Sequence, residues 1–449
     1  MRILPRLLKK AIRKGRLELE TPDGTRHLCG GVEPGPEVAI RITDPALDWK
    51  IALNPELKAA EAFMDGTLQV TRGPEGGTAY DLLQLFFVNK RAFDLSAGQI
   101  LMRTIERRSK RFVQHNPVFR ARRNAAHHYD LGNDFYRMWL DPDMQYSCGY
   151  FRDGSESLDE AQLLKKRHIA AKLALEPGQR VLDIGSGWGG MALYLAAVAD
   201  VEVVGVTLAE RQLEVARARA EAAGLSDRVR FELRDYRKVE ERFDRVVSVG
   251  MLEHVGVGYL QTYFLKVRDC LAPDGVALIH SISSMSPPGC TGPFLSKYIF
   301  PGGYAPRLSE ASLAVERSGL WNLDTEVWRH HYAPTLRAWR ERFEARRGEV
   351  EAMYDARFAR MWEFYLAACE CSFAFGNSNV IQLQLGRKQD AVPLHRDWIG
   401  PAEAALAERE PEALARIDAA TREVFGEPPP SRPEVARTAP APVQGAAGS

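Results

Sequence analysis

Between residues 159 and 282 the apolar positions change period repeatedly, and that alternation predicts most of the architecture. Asp159 to Leu175 carries the three-to-four spacing of an amphipathic helix and stops at Glu176-Pro177-Gly178. Val181 to Ile184 is a short unbroken apolar run that ends in glycines, and Met191 to Ala196 then reads as a helix. Val201 to Thr207 is a second buried strand, with Glu210 to Ala223 as its helix. Val229 to Leu233 and Phe243 to Val249 are the third and fourth strands; a helix over Tyr259 to Leu271 leads to a fifth at Val276 to Ile282. Strands alternating with helices are the mark of a doubly wound α/β unit with a parallel sheet. Gln382 to Leu385 reads as a late strand of the same sheet, and Thr335 to Arg346 and Glu349 to Ala368 as amphipathic helices.

The first hundred residues have a different rhythm. From Leu17 to about Val70, short alternating runs such as Val38-Ala39-Ile40-Arg41-Ile42 are separated by turn signals, among them Pro22-Asp23-Gly24 and Gly30-Gly31. With apolar helical stretches at 59–64 and 80–88, this predicts a small α+β unit built on an antiparallel sheet. Residues 1–16 hold seven basic residues and no acid, and apolar positions at Ile3, Leu4, Leu7, Leu8, Ala11 and Ile12 predict a basic amphipathic helix. Such a helix suits an anionic membrane surface or simply packs on its own domain. A second basic block spans 103–123 and suits phosphate, with lipid headgroups favoured over nucleic acid for want of a nucleic-acid motif nearby, and an exposed linker helix as the alternative. The expected division is an accessory unit at 1–100, a basic linker at 101–125, the main α/β unit at 126–400 and a disordered Pro- and Ala-rich tail at 427–449.

Composition narrows the class. A chain of 449 residues, 45% apolar and 27% charged, is long enough for two or more units, each able to bury a core. The net charge of +1 argues against a nucleic-acid partner, and no apolar run is long enough for a transmembrane helix. The six cysteines fit neither a disulfide framework nor a zinc spacing, so no metal is expected and the cytoplasm is the expected compartment. Cys369-Glu370-Cys371 is read as packing.

The chemistry centres on Val181-Leu182-Asp183-Ile184-Gly185-Ser186-Gly187-Trp188-Gly189-Gly190, where a strand turns tightly into a helix. The glycine spacing also fits a dinucleotide fingerprint, and Glu210 lies near the distance expected of a ribose-binding acid. Asp183 has no part in a pyrophosphate turn, whereas it suits a ligand with an amine and a sulfonium. Asp235-Tyr236 at the third strand's end suits an adenine. S-adenosylmethionine (SAM) is therefore favoured over a nicotinamide cofactor. Other ligand contacts belong at the strand C-termini: Gly185, Thr207, Asp235, Glu253 and His280.

Several separated motifs then carry a specific resemblance. His128-Tyr129-Asp130, Tyr146-Ser147-Cys148, the glycine turn, Gly250 to Gly256 and Lys297-Tyr298-Ile299-Phe300-Pro301-Gly302-Gly303 resemble the cyclopropane-fatty-acyl-phospholipid synthase family over about residues 115–395. The resemblance implies a Rossmann-like SAM-dependent methyltransferase fold, with the N-terminal unit similar to the family's lipid-binding domain. It implies transfer of the SAM methyl to the cis double bond of unsaturated phospholipid acyl chains, giving a carbocation that loses a proton to bound bicarbonate and closes to a cyclopropane. By the same resemblance the bicarbonate ligands are Cys148, Glu253, His280, Tyr332 and the backbone of Ile282. SAM contacts carry over to Tyr146, Ser147, Asp183, Gly185, Gly187, Thr207 and Gln212, with Asp235 and Tyr236 at the adenine. One family branch has a Trp-Glu pair where this chain has Asp235-Tyr236-Arg237. The rival outcome is a methyl-branched or methylated unsaturated chain from the same first step. A membrane-binding module without catalysis and a small-molecule methyltransferase are further alternatives. The implied setting is the inner face of the cell membrane, bound peripherally, with the choice between monomer and homodimer open.

Overall fold

The computed structural model describes residues 1, 3–31, 33–90 and 131–427. The basic block at 103–123, the His128-Tyr129-Asp130 motif and the tail beyond residue 427 lie outside the described residues.

The N-terminal sheet has four strands: β1 (Lys14–Glu20), β2 (Arg26–Gly30), β3 (Glu33–Ile42) and β4 (Leu68–Arg72), in the order β2-β1-β3-β4. It is mixed where an antiparallel sheet was expected: β1 pairs antiparallel with β2 but parallel with β3. The chain leaves β2 and crosses the start of β1 to reach its far edge. That crossing needs glycine, since a Cβ on Gly31 would lie 1.3 Å from the Arg13 carbonyl oxygen. The first helix is also shorter than expected, Ile3–Ala11, because Asn89 Oδ1 takes the N–H groups of Arg13 and Lys14 (both 2.8 Å) and turns the chain into β1. Its buried face (Leu4, Pro5, Ala11) packs on its own unit, leaving Ile3 and Leu7 exposed.

The main sheet holds β5 (Arg180–Ile184), β6 (Glu202–Thr207), β7 (Val229–Leu233), β8 (Phe243–Val249), β9 (Leu271–Ser284), β10 (Trp321–Trp328) and β11 (Ser378–Gly386). Their order is β10-β11-β9-β8-β5-β6-β7, and only β11 runs against its neighbours. All five strands read from the alternation are present, and β11 covers the predicted late strand. Strand order reverses at β5, between β6 and β8, which opens a crevice outside the carboxyl ends of those strands. The chain therefore has the α/β, Rossmann-like architecture.

The helix expected over 349–368 is two helices, Arg347–Met353 and Ala356–Ala374. Asp355 caps the second by accepting the Phe358 N–H at 2.6 Å. The helix Ile399–Phe425 closes over the helices Leu158–Lys172 and Gly190–Ala199, where Glu410 accepts from Tyr194 (2.7 Å) and Arg167 Nε (2.8 Å). The main unit thus extends past residue 400 to Phe425. The two sheets are not separate bodies. Phe63 packs on Phe364 at 5.8 Å between ring centres, and Glu363 accepts the Ala79 N–H at 2.9 Å, so one apolar core runs through both units. Among the described residues no helix is long and apolar enough to cross a membrane.

Candidate active site

The glycine turn forms one wall of the crevice. Gly185 and Gly189 both have φ of 87°, a backbone conformation that a side chain would strain. A Cβ on Gly189 would also meet the Phe231 ring at 2.7 Å. Asp183 sits just before the turn, fully enclosed, with Oδ2 unbonded, and burial lifts its carboxyl to about 7. A desolvated carboxylate without a partner is costly, and a cationic ligand group would relieve it.

All nine residues expected to contact SAM line this one crevice: Tyr146, Ser147, Asp183, Gly185, Gly187, Thr207, Gln212, Asp235 and Tyr236. Asp235 is already engaged. Arg237 grips both of its oxygens, Nε to Oδ1 at 2.9 Å and Nη2 to Oδ2 at 2.7 Å. Tyr236 remains as the aromatic flank, its ring packed on Tyr263. Pro301 and Gly302, from the motif at 297–303, line the same space.

The five residues assigned to the anion fall into linked sets. Glu253 lies on a 3-10 turn after β8 (Leu252–His254) and accepts the Ile282 N–H through Oε1 at 2.6 Å. Its Oε2 is buried without a partner, and burial raises the carboxyl to about 7. His280 lies two residues before Ile282 on β9, and its carbonyl accepts the Gly250 N–H at 2.9 Å. Burial, with the ammonium groups of Lys165 and Lys172 nearby, lowers the imidazole to about 3. The His280 ring meets Trp328 edge to face at 5.0 Å, and Trp328 meets Tyr150 at 4.8 Å, which joins β9 to the 146–150 segment. Within that segment Gly149 donates to Thr335 Oγ1 at 3.0 Å, one turn along the helix that Tyr332 begins. The Cys148 thiol is fully buried and points a hydrogen bond at the Gly149 carbonyl (3.3 Å); burial pushes its pKa well above the usual range, so it is a neutral thiol rather than a nucleophile. The Tyr332 ring packs on Phe373 at 4.7 Å.

Three residues beside the site were not singled out from sequence. Lys165 is fully buried and donates to Ser147 Oγ, Gln145 Oε1 and Gln162 Oε1, each at 2.7 Å, so it fixes a segment lining the crevice. Tyr365 shares a 2.7 Å hydrogen bond with Tyr146. Trp188, within the glycine turn, lines the crevice and donates to Asn133 Oδ1 at 2.8 Å. The helical spacing of Lys165 with Gln162 gave no sign that both point inward.

The family of mycolic acid cyclopropane synthetases matches residues 118–383. The chain belongs to that family. As a cyclopropane synthetase-family protein it is a SAM-dependent methyltransferase. Cyclopropane-fatty-acyl-phospholipid synthase of Escherichia coli K12 is 37% identical over 353 residues, 78% of this chain and 87% of its own. A Pseudomonas putida protein described as "Probable fatty acid methyltransferase" is 35% identical over 374 residues, 82% and 91% of the two chains. The solved structure of mycolic acid cyclopropane synthase CmaA1 complexed with SAH and CTAB is 31% identical, with a TM-score of 0.56. It covers 60% of this chain and 98% of its own.

Proposed function

We propose that the protein converts the cis double bond of unsaturated phospholipid acyl chains to a cyclopropane ring. The supporting comparison is the E. coli phospholipid enzyme, matched over 78% of this chain. The observation that carries the reading is the buried set of proton-handling groups on the β8 and β9 ends: a Glu253 carboxyl of raised pKa with an unbonded oxygen, bonded to the β9 backbone two residues beyond a neutral His280.

SAM supplies an electrophilic methyl group, and the Asp183 carboxylate would receive its amine. The alkene π electrons form the new carbon–carbon bond, leaving a cation on the chain and releasing the neutral thioether S-adenosylhomocysteine. Ring closure then requires a proton to leave the added carbon. Bicarbonate would supply the base for that proton. Its oxygens would be held by the Glu253 acid, His280 and the Tyr332 phenol, with the Cys148 thiol turning from the Gly149 carbonyl to join them. The unbonded Glu253 Oε2 fits this donor set, since a protonated carboxyl can donate there. The Ile282 N–H is engaged by Glu253 and would be shared with the anion. Neutral donors in a dry pocket stabilise an anion without competing for the proton.

The acyl chains would come from a membrane. Ile3, Leu7, Trp49 and Leu53 are exposed apolar side chains on adjoining helices, held together where Asp48 accepts the Ile3 and Leu4 N–H groups. Arg6, Lys9 and Lys10 are exposed beside them, an arrangement suited to peripheral attachment at an anionic inner leaflet.

The P. putida relative favours one other outcome, a methylated chain that keeps no ring. Incubation with oleoyl phospholipid vesicles and SAM bearing a trideuterated methyl separates the two. A ring retains two of the three deuteriums, whereas proton loss from the chain retains all three. Acyl chains unchanged in mass would overturn both readings.

A further inference from the structure

A polar row crosses the otherwise apolar end of the main sheet. Glu326 on β10 is paired directly with Gln382 on β11, and Gln382 with His280 on β9. Directly paired residues point their side chains to one face, so these three stand in line. Their neighbours in the register, Leu383 and Ile279, are plain hydrophobes. The helix Leu158–Lys172 lies over this face, and its last residue completes the row. Lys172, with no exposed side-chain surface, donates to Glu326 Oε2 at 2.9 Å and to Gln382 Oε1 at 3.1 Å. His168, one turn earlier, meets the same Glu326 oxygen at 2.8 Å, and Asp324 lies 3.2 Å from the Lys172 ammonium.

These contacts have one consistent hydrogen assignment. An ammonium only donates, so the Gln382 oxygen must face Lys172 and the amide nitrogen must face His280. That nitrogen lies 3.3 Å from His280 Nδ1. An amide NH₂ also only donates, so Nδ1 must offer a lone pair. The imidazole is neutral, and its single proton is on Nε2.

We propose that Lys172 and Gln382 are positioning residues that fix His280 as the Nε2–H tautomer, so that the ring presents a hydrogen-bond donor to the reaction pocket. The inference rests on the reading of His280 as part of the anion site. With the opposite tautomer, Nε2 would turn a lone pair toward an anion oxygen and repel it. The buried row explains why an apolar strand, Val276 to Ile282, is interrupted by a histidine whose partner lies a strand away.

The test is the ¹⁵N–¹H correlation spectrum of histidine-labelled full-length protein, with His280 assigned by its loss in His280→Asn. The expected signature is a pyrrole-type Nε2 and a pyridine-type Nδ1, unchanged between pH 6 and 8. A protonated Nδ1 in the wild-type protein would overturn the proposal, and this readout needs no variant to fold. Gln382→Glu keeps the shape but accepts from Nδ1, and should move the proton there. Turnover should then fall about 10–100-fold, the range for outer partners of functional histidines, with KM for SAM unchanged. A shifted tautomer with full turnover would also sink it. Failure of the wild-type protein to modify lipid would count against the proposed function alone, since the tautomer is read in the resting protein.

Discussion

Glu253 accepts the Ile282 backbone N–H at 2.6 Å, while its second oxygen is buried with no partner. The turn after β8 is thereby stapled to β9, two residues beyond His280. Glu253→Leu keeps most of the volume but removes both the Oε1 acceptor and the Oε2 donor. Turnover should drop about 10²–10³-fold, the usual contribution of one donor to a bound anion. Calorimetric titration should show SAM affinity within a factor of two or so of the parent. Wild-type turnover in this variant would remove Glu253 from the chemistry.

Asp183 gives the donor site a pH dependence. Burial raises its carboxyl from 3.8 to about 7, so below neutrality the free site holds a neutral acid. An amine-bearing ligand needs the carboxylate. Affinity for S-adenosylhomocysteine should therefore rise about tenfold per pH unit up to about pH 7 and level off above it. For the unliganded protein the sign is opposite. A raised folded-state pKa gives stability that is full below about pH 4 and is lost as pH climbs through about 7. Asp183→Asn should flatten both profiles, as measured by titration and by thermal melts from pH 5 to 8.

The exposed Trp49 and Leu53 offer a test of membrane attachment that leaves the crevice alone. Burial of such a side chain contributes about 1.5–3 kcal/mol, so Trp49→Glu or Leu53→Glu should weaken binding to anionic vesicles about tenfold or more. Turnover on a detergent-dispersed substrate should be unaffected. Equal sedimentation of parent and variants with vesicles would point the docking face elsewhere.

Glu370, expected only to pack, anchors a buried ion cluster. It accepts from Arg340 Nε at 2.8 Å and from Arg337 Nε at 3.1 Å, and Arg340 also reaches Glu75 of the N-terminal unit at 3.0 Å. Removing one member of a buried pair typically costs about 3–5 kcal/mol, because the other charge is left uncompensated. Glu370→Ala should show that loss in denaturant unfolding, with Glu370→Gln intermediate.

The parallel strands were legible because each is buried on both faces and reads as an unbroken apolar run. β10 was not. Its Trp321-Asn322-Leu323-Asp324-Thr325-Glu326-Val327-Trp328 sequence carries acids whose partners, Lys172 and Arg396, come from other elements. The helix break at Asp355 is local and could be seen as a cap only once the backbone was known. In the site, side chains at strand ends were readable from topology. Lys172 and Gln382 were not, because their meaning depends on the register between β9 and β11 and on which end of a helix lies above it. The mixed N-terminal sheet turns on a single crossing at Gly31, which alternation cannot encode.

The contact of Phe63 with Phe364, and of Ala79 with Glu363, makes the small sheet a structural organ rather than an attachment. Its removal would strip the helix Ala356–Ala374 of its cover, so the chain should melt in one transition and resist being divided into separately expressed halves. Losing the small sheet would therefore demand a simultaneous change of surface on the catalytic half, a barrier set by cooperativity rather than by catalysis.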